Sequence, residues 1–316
     1  MNFRSLTAAT LMAAMAVPAA AETRVTYKSA KSTSSYYQMG VQIAEAMQEA
    51  SGGEINVTVE ESQGSVQNVM EVRARGGDYI FTTPPVLVRL AKGGKAMFDG
   101  KGDPAFDGIR ALFPIPSLTM HFVVRADSGV ESFDDLRGKT ILLGKGSFGA
   151  REGTKYLDLF TDKSAVQIAD VELSNAVPAL KNGQIDGFVT AGSWPAPNVV
   201  EAAAATGVEV LSMSDDQIAE TGRTKLVIPA GTYAGQQEEI VTTSLPVVAY
   251  ATRKMDDATA HALTRTFWES QDTMVTAAKW WKGVDAGLMD TITGRIHPGA
   301  VRYYQEAGFE LTDAQK

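Results

Sequence analysis

Apolar positions along the chain switch between runs of period two and stretches of helical spacing, with glycine-rich or hydroxyl-rich loops between them. Val25 to Tyr27 alternates as a strand and Ser29 to Ser35 is a polar loop. Tyr37, Val41, Ala44, Met47 and Gln48 then keep helical spacing until Gly52 and Gly53 end the helix. Ile55 to Val59 alternates again, Ser65 is placed to cap a helix that stops near Gly76 and Gly77, and Asp78 to Thr83 is a strand ending in hydroxyls. Gly93 to Asp107 reads as a surface loop, and Ile109 to Ile115 and Thr119 to Arg125 read as two strands.

The plan then repeats. Thr140 to Leu143 is a short apolar run of the kind buried in a parallel sheet, followed by Gly144, Gly146 and Gly149 and a helix from Glu152 to Phe160. Strands follow at Val166 to Leu173, Asp186 to Thr190 and Val208 to Ser212, with a helix through Val199 to Ala205. Arg75 to Thr83 and Asn182 to Thr190 echo each other, which suggests two lobes of like construction. Leu245 to Thr252 reads as a strand crossing back into the first lobe, and Asp256 to Lys282 as one long helix with Leu263, Phe267, Met274 and Val275 on its apolar face. The expected architecture is α/β, two lobes with a cleft between them joined by crossing strands. Lobe I takes residues 22–122 and 245–316, and lobe II takes 123–244.

Composition sets the compartment. Arg4, the apolar run Leu6 to Ala16 and Ala19 to Ala21 form the pattern of a signal peptide cleaved after Ala21, so a periplasmic location is expected. No later stretch is long and apolar enough to span a bilayer, and no cysteine is present for disulfides or thiolate metal sites. The net charge of -8 is spread along the chain and argues against nucleic acid as a partner.

The strand, glycine loop and helix at Lys139 to Arg151 form an anion-binding junction, because loop amides there point out at a positive helix end. A carboxylate or a phosphate suits it. The same three glycines, with Asp170 further on, also spell a dinucleotide fingerprint, which leaves an exported oxidoreductase as the alternative. Ser147, Phe148 and Gly149 are the candidates on this loop. Thr83, Thr190 and Ser193 sit at matching strand ends of the two lobes, with Trp194 as an apolar wall, while Ser65 and Gln67 open the second helix as donors. Lys31 and Arg151 are preferred over Lys145 as the cation facing an acid. His121, His261 and His297 show no metal-ligand spacing, and Asp134, Asp215 and Asp256 open helices as caps, so neither a metal, a cofactor nor a catalytic group is expected.

Several pieces in order resemble one family across almost the whole chain. They are Tyr36 and Tyr37, Gly64 to Val66 with Asn68, Val123 to Gly129, Leu180 to Asp186, Thr190 to Gly192, Ile228 to Tyr233, and His297 to Ala300 with Arg302 to Tyr304. Together they resemble the solute-binding subunit of the TAXI class of tripartite ATP-independent periplasmic (TRAP) transporters. The resemblance implies a receptor, not an enzyme, acting as a monomer. It closes on a small organic anion such as glutamate or a dicarboxylate and delivers it to an ion-gradient-driven TRAP membrane permease. Tyr36 and Tyr37 are adjacent on a helix start and cannot both face the same way, so one is expected to reach the ligand and the other to pack. Where that family carries a glycine-threonine run, this chain has Lys28 to Ser35, so Lys31 and Ser35 put an ammonium and a hydroxyl in the binding loop.

Overall fold

In the computed structural model, which describes residues 22–32 and 34–316, two long antiparallel strands run through both halves of the molecule. The expected signal peptide lies outside the described residues. The first half is built from β1 (Thr23–Lys28), α1 (Ser35–Ala50), β2 (Ile55–Glu60), α2 (Ser65–Glu71), β3 (Tyr79–Thr83) and α3 (Pro85–Lys92), and leads into β4 (Ile109–Arg125). The second half contains β5 (Thr140–Leu142), α4 (Phe148–Phe160), β6 (Gln167–Ala169), α5 (Ala176–Lys181) and β7 (Gly187–Gly192). It continues with α6 (Pro197–Thr206), β8 (Val208–Val210), α7 (Asp215–Thr221) and β9 (Thr224–Ile228). The chain returns along β10 (Ile240–Thr252) and ends with α8 (Asp257–Glu269), α9 (Gln271–Ala277) and α10 (Pro298–Glu306).

The strands form one continuous sheet in the order β2-β1-β3-β10-β4-β7-β5-β6, with β8 on β4 and β9 on β10. Thr119 and Ser244 face each other where the sheet changes partners. Before Thr119, β4 pairs with β10; from Thr119 onward it pairs with β7. Likewise β10 pairs with β9 up to Ser244 and with β3 at Val248 to Tyr250. This is the two-lobed α/β architecture, with the lobes joined by crossing strands.

Several expectations need correction. The two strands read at Ile109 to Ile115 and Thr119 to Arg125 are one 17-residue strand that runs through Pro114 and Pro116. Proline is tolerated there because this part of β4 has a ladder partner on one side only, apart from an isolated bridge between Ala111 and Ile296. The buried stripe of α1 is Tyr36, Met39, Gly40, Ile43, Ala46 and Met47, not the face containing Tyr37, Val41 and Ala44. Gly64, with φ +113°, rather than Ser65 caps α2, and α2 already ends at Glu71. The long helix expected over Asp256 to Lys282 breaks at Ser270, whose hydroxyl donates to the Thr266 carbonyl at 2.7 Å and draws the backbone out of register.

The core follows the sheet. Phe113 stacks on Phe267 with ring centroids 3.9 Å apart, which seats α8 on β4, and Trp281 is fully buried beside them, its indole donating to Gln42 at 2.7 Å. In the second lobe Leu142, Leu180, Phe188 and Val199 form a separate buried cluster. With α4 and α5 packed over three short parallel strands, the carboxyl ends of β5, β6 and β7 are left facing the first lobe.

Candidate functional site

The carboxyl ends of β1, β2 and β3 in the first lobe face those of β5, β6 and β7 in the second, and the cleft between them encloses about 830 Å³ counted out to its mouth. Such a crevice outside the strand ends is where open α/β sheets place ligands. Leu118 of β4 and Val247 of β10 form its floor, one residue from each crossing strand near the point where the lobes join.

The first-lobe wall is held by buried hydrogen bonds. Asn68 of α2 is fully buried and its amide donates to the carbonyls of Ser29 at 2.7 Å and Thr82 at 2.9 Å, so one side chain ties the ends of β1 and β3. Ser29 donates to the Tyr36 carbonyl at 2.6 Å, and Ser62 donates to the Ser29 carbonyl at 2.9 Å. Tyr36 lines the cleft while its hydroxyl donates to the Pro116 carbonyl at 3.0 Å, and burial holds that phenol well above its usual pKa. Its ring is therefore fixed and neutral. Lys28, beneath this wall, is tied to Glu60 at 3.3 Å and Glu71 at 3.4 Å.

The second-lobe wall is the junction of β5 and α4. Gly144 and Gly146, with φ of +80° and +76°, turn the chain, and Ser147 caps α4 by accepting from the Ala150 amide at 2.9 Å. A serine hydroxyl that accepts in a cap keeps its proton to donate. The amides of Phe148 and Gly149, in the first turn of a 13-residue helix, have no intrahelical carbonyl to bond, so hydroxyl and amides converge on a site suited to an anion. A Cβ on Gly149 would stand 3.0 Å from the Ala191 Cβ and 3.2 Å from its nitrogen, so glycine here lets α4 approach β7 closely.

Both cations on the cleft wall have carboxylate partners. Lys31 reaches across the mouth to Glu172 at 3.2 Å, joining the two lobes, and Lys145 pairs with Asp170 at 2.8 Å, which raises the lysine's pKa. At the cleft a further interlobe tie is the Ser193 amide, which donates to the Ser35 hydroxyl oxygen at 3.0 Å.

Of the residues singled out from the sequence, Lys31, Tyr36, Ser65, Ser147, Phe148 and Gly149 line the cleft. Ser35 and Ser193 lie between the lobes, engaged with each other. Thr190 accepts from Asn198 at 3.0 Å, and Gln67 bonds Glu71 and the Gln63 amide, so neither side chain faces the cleft. Thr83 is fully buried one residue past the cleft-lining Thr82, on the opposite face of β3. Tyr37 is half-buried away from the cleft, and Trp194 packs on the second-lobe core. Arg151 is half-buried with no carboxylate partner among the described residues, and burial lowers its pKa below the usual guanidinium range, but it does not line the cleft. The loop after β6, Glu172 to Ser174, and the floor residues were missed. The apolar run reads as strand through Leu173, whereas β6 ends at Ala169 and leaves these residues in the loop.

Among the described residues no cluster of side chains could hold a metal ion, and no helix is long and apolar enough to cross a membrane. Fold and cleft together are those of a two-lobed α/β protein with a ligand-sized crevice between the lobes, a fold shared with solved periplasmic binding proteins. The periplasmic binding protein BugD superimposes with a TM-score of 0.57 at 12% identity, covering 91% of this chain and 98% of BugD. MatC from Rhodopseudomonas palustris, solved with bound malate, gives 0.52 at 13% identity over 85% of this chain and 96% of MatC. A Bordetella bronchiseptica RB50 protein gives 0.51 at 16% identity over 93% and 85%. Residues 28–308 match the NMT1-like family, and the chain belongs to that family.

Proposed function

We propose that this chain is the periplasmic receptor of a TRAP transporter of the TAXI class, taking a small organic anion and presenting it to a membrane permease. The observation that supports this most is the convergence of the Ser147 hydroxyl with the free Phe148 and Gly149 amides at the start of α4, opposite Lys31 and Tyr36. A carboxylate fits the α4 terminus, and the apolar sides of Leu118, Phe148, Leu173 and Val247 suit a short carbon skeleton. The malate bound in MatC is an anion of this size and charge type. The lobes, taken as residues 22–122 with 245–316 and residues 123–244, bend about Thr119 and Ser244, where the sheet changes partners.

The dinucleotide alternative has less support. Asp170, the acid that would meet a ribose, is ion-paired with Lys145, and Gly149 is accounted for by the approach of α4 to β7.

The test is a thermal-shift screen of the mature protein against mono- and dicarboxylates, acidic amino acids, sulfonates and nicotinamide dinucleotides. A ligand at about a hundred times its Kd stabilises the fold by about 2.7 kcal/mol. A selective shift with one anion is expected; a shift with dinucleotide alone overturns the receptor reading.

A further inference from the structure

Outside the cleft, five cations gather on the first lobe without an ion pair among the described residues: Arg89 and Lys92 of α3, Arg110 at the start of β4, Arg253 after β10, and Arg295. Other cations are neutralised by carboxylates. Arg75 sits between Glu60 and Glu71, and Arg223 is paired with Glu152 at 2.8 Å. The cluster is the more unusual in a chain of net charge -8.

Its members feel one another. Burial and the charges of Arg110 and Arg295 lower the pKa of Lys92, and burial with Arg295 and Arg253 lowers that of Arg110. Asp107 is the one acid acting on both, and it meets Arg110 through its carbonyl at 2.8 Å rather than its carboxylate. Gathering like charges works against folding, so the arrangement calls for an external negative partner.

Three of the five, Arg89, Lys92 and Arg295, line a trough. Two adjoining hollows of about 550 Å³ and 480 Å³, counted to their open mouths, share Pro85, Arg89 and Thr293. One end holds Lys92 and Arg295; the other is bordered by Ser244 to Pro246 at the strand crossing and by Gly222 to Thr224 of the second lobe. Pro84 borders both this hollow and the ligand cleft. The trough therefore spans the two lobes beside the site that closes on the ligand.

We propose that the trough is a docking surface for an extended acidic segment of a partner protein, seated along Arg89, Lys92 and Arg295 and touching both lobes at the strand crossing. Three of the five cations line the trough, with Arg110 and Arg253 adding to the positive field behind it, and the trough runs on through a second hollow to the strand crossing, longer than one small anion fills, whereas successive carboxylates of an extended chain can follow it. A segment lying across both lobes binds one lobe angle better than another, and thereby reads whether the cleft is closed. This goes beyond the receptor reading and stands or falls separately from it.

The probe is a fluorescein-labelled hexaglutamate peptide, followed by anisotropy with the mature protein at low salt. Saturable binding that weakens as salt rises is expected. The variant Arg89→Gln/Lys92→Gln/Arg295→Gln should bind about tenfold more weakly, from three partly exposed charge contacts. Lys163→Gln/Lys181→Gln/Lys279→Gln, with the same loss of charge elsewhere, should match the parent. The unfolding midpoint of the trough variant should be no lower than the parent's, since it relieves like-charge repulsion, and the cleft-ligand thermal shift should be the same in both variants as in the parent, which separates loss of docking from loss of fold or of ligand binding. Equal loss in the two variants, or no saturable binding, overturns the proposal. So does inorganic phosphate binding as tightly as the peptide, which would make the trough a small-anion site, or capture by phosphatidylglycerol vesicles without peptide binding, which would make it a membrane-facing patch.

Discussion

Replacing Lys31 by Ala separates two things the residue can do. Lys31 and Glu172 join the lobes across the cleft mouth at 3.2 Å, with side chains 39% and 50% exposed. An ion pair that wet contributes about 0.2–1 kcal/mol. If the pair acts only as a latch on the closed form, Lys31→Ala weakens ligand binding about 1.4- to 5-fold, and Glu172→Gln weakens it by a similar factor. If the ammonium instead turns from Glu172 to a bound carboxylate, Lys31→Ala removes a charge-assisted hydrogen bond, about 1.5–3 kcal/mol or roughly 10- to 150-fold in Kd. Glu172→Gln then acts in the opposite direction, since it frees Lys31 and removes a negative charge from beside the acid. The expected outcome is this second pattern. Isothermal titration of the anion selected by the thermal-shift screen, on the two single variants and the double, measures it. Equal and small losses in both single variants, with no further loss in the double, would refute a ligand contact by Lys31 and leave it a latch.

Three further outcomes follow from the packing. Glu152 is almost fully buried and accepts two bonds from Arg223, at 2.9 Å and 2.8 Å, so Arg223→Ala strands a buried carboxylate and should lower the unfolding free energy in urea by about 3–5 kcal/mol, whereas Arg223→Met with Glu152→Gln should recover much of that. Gly149→Ala brings a methyl to 3.0 Å from the Ala191 Cβ, so α4 and β7 must part by a few tenths of an ångström; about 1 kcal/mol of stability should be lost and ligand affinity should fall with it, and unchanged affinity would remove α4 from the site. Burial lowers the pKa of His121 from 6.5 to about 4, so the unfolded chain takes up the proton first as pH falls. The stabilisation from the neutral imidazole is thus complete above about pH 6.5 and is lost progressively towards pH 4; between about pH 7.5 and about pH 4.5 the parent should lose some 2–3 kcal/mol more than His121→Gln, read from urea unfolding at each pH.

How much of this was readable in the sequence depended on whether the cause was local. Gly144, Gly146 and Ser147 act within a few residues of one another, turning the chain and capping α4, so the junction could be located from spacing alone. The stripe of α1 could not: helical spacing admits both the Tyr37 face and the Met39 face, and the choice is made by what α1 packs against, Tyr27 of β1 and Val59 of β2 standing 3.2 Å from where a Gly40 Cβ would lie. The passage of β4 through Pro114 and Pro116 depended on that stretch lacking a second ladder partner, a property of the assembled sheet. Charge in the cleft was harder still. Lys31 and Lys145 stand out in the sequence as cations near strand ends, but their standing is set by Glu172 and Asp170 on the loop after β6, about 140 and 25 residues away along the chain. Counting cations in the sequence predicts an anion site by subtraction of nothing. With both lysines already paired, the proposed attraction for an acid would rest first on the dipolar donors of α4, and the charge of Lys31 would become available only on release of Glu172, which would tie the ligand's charge to the same contact that joins the lobes.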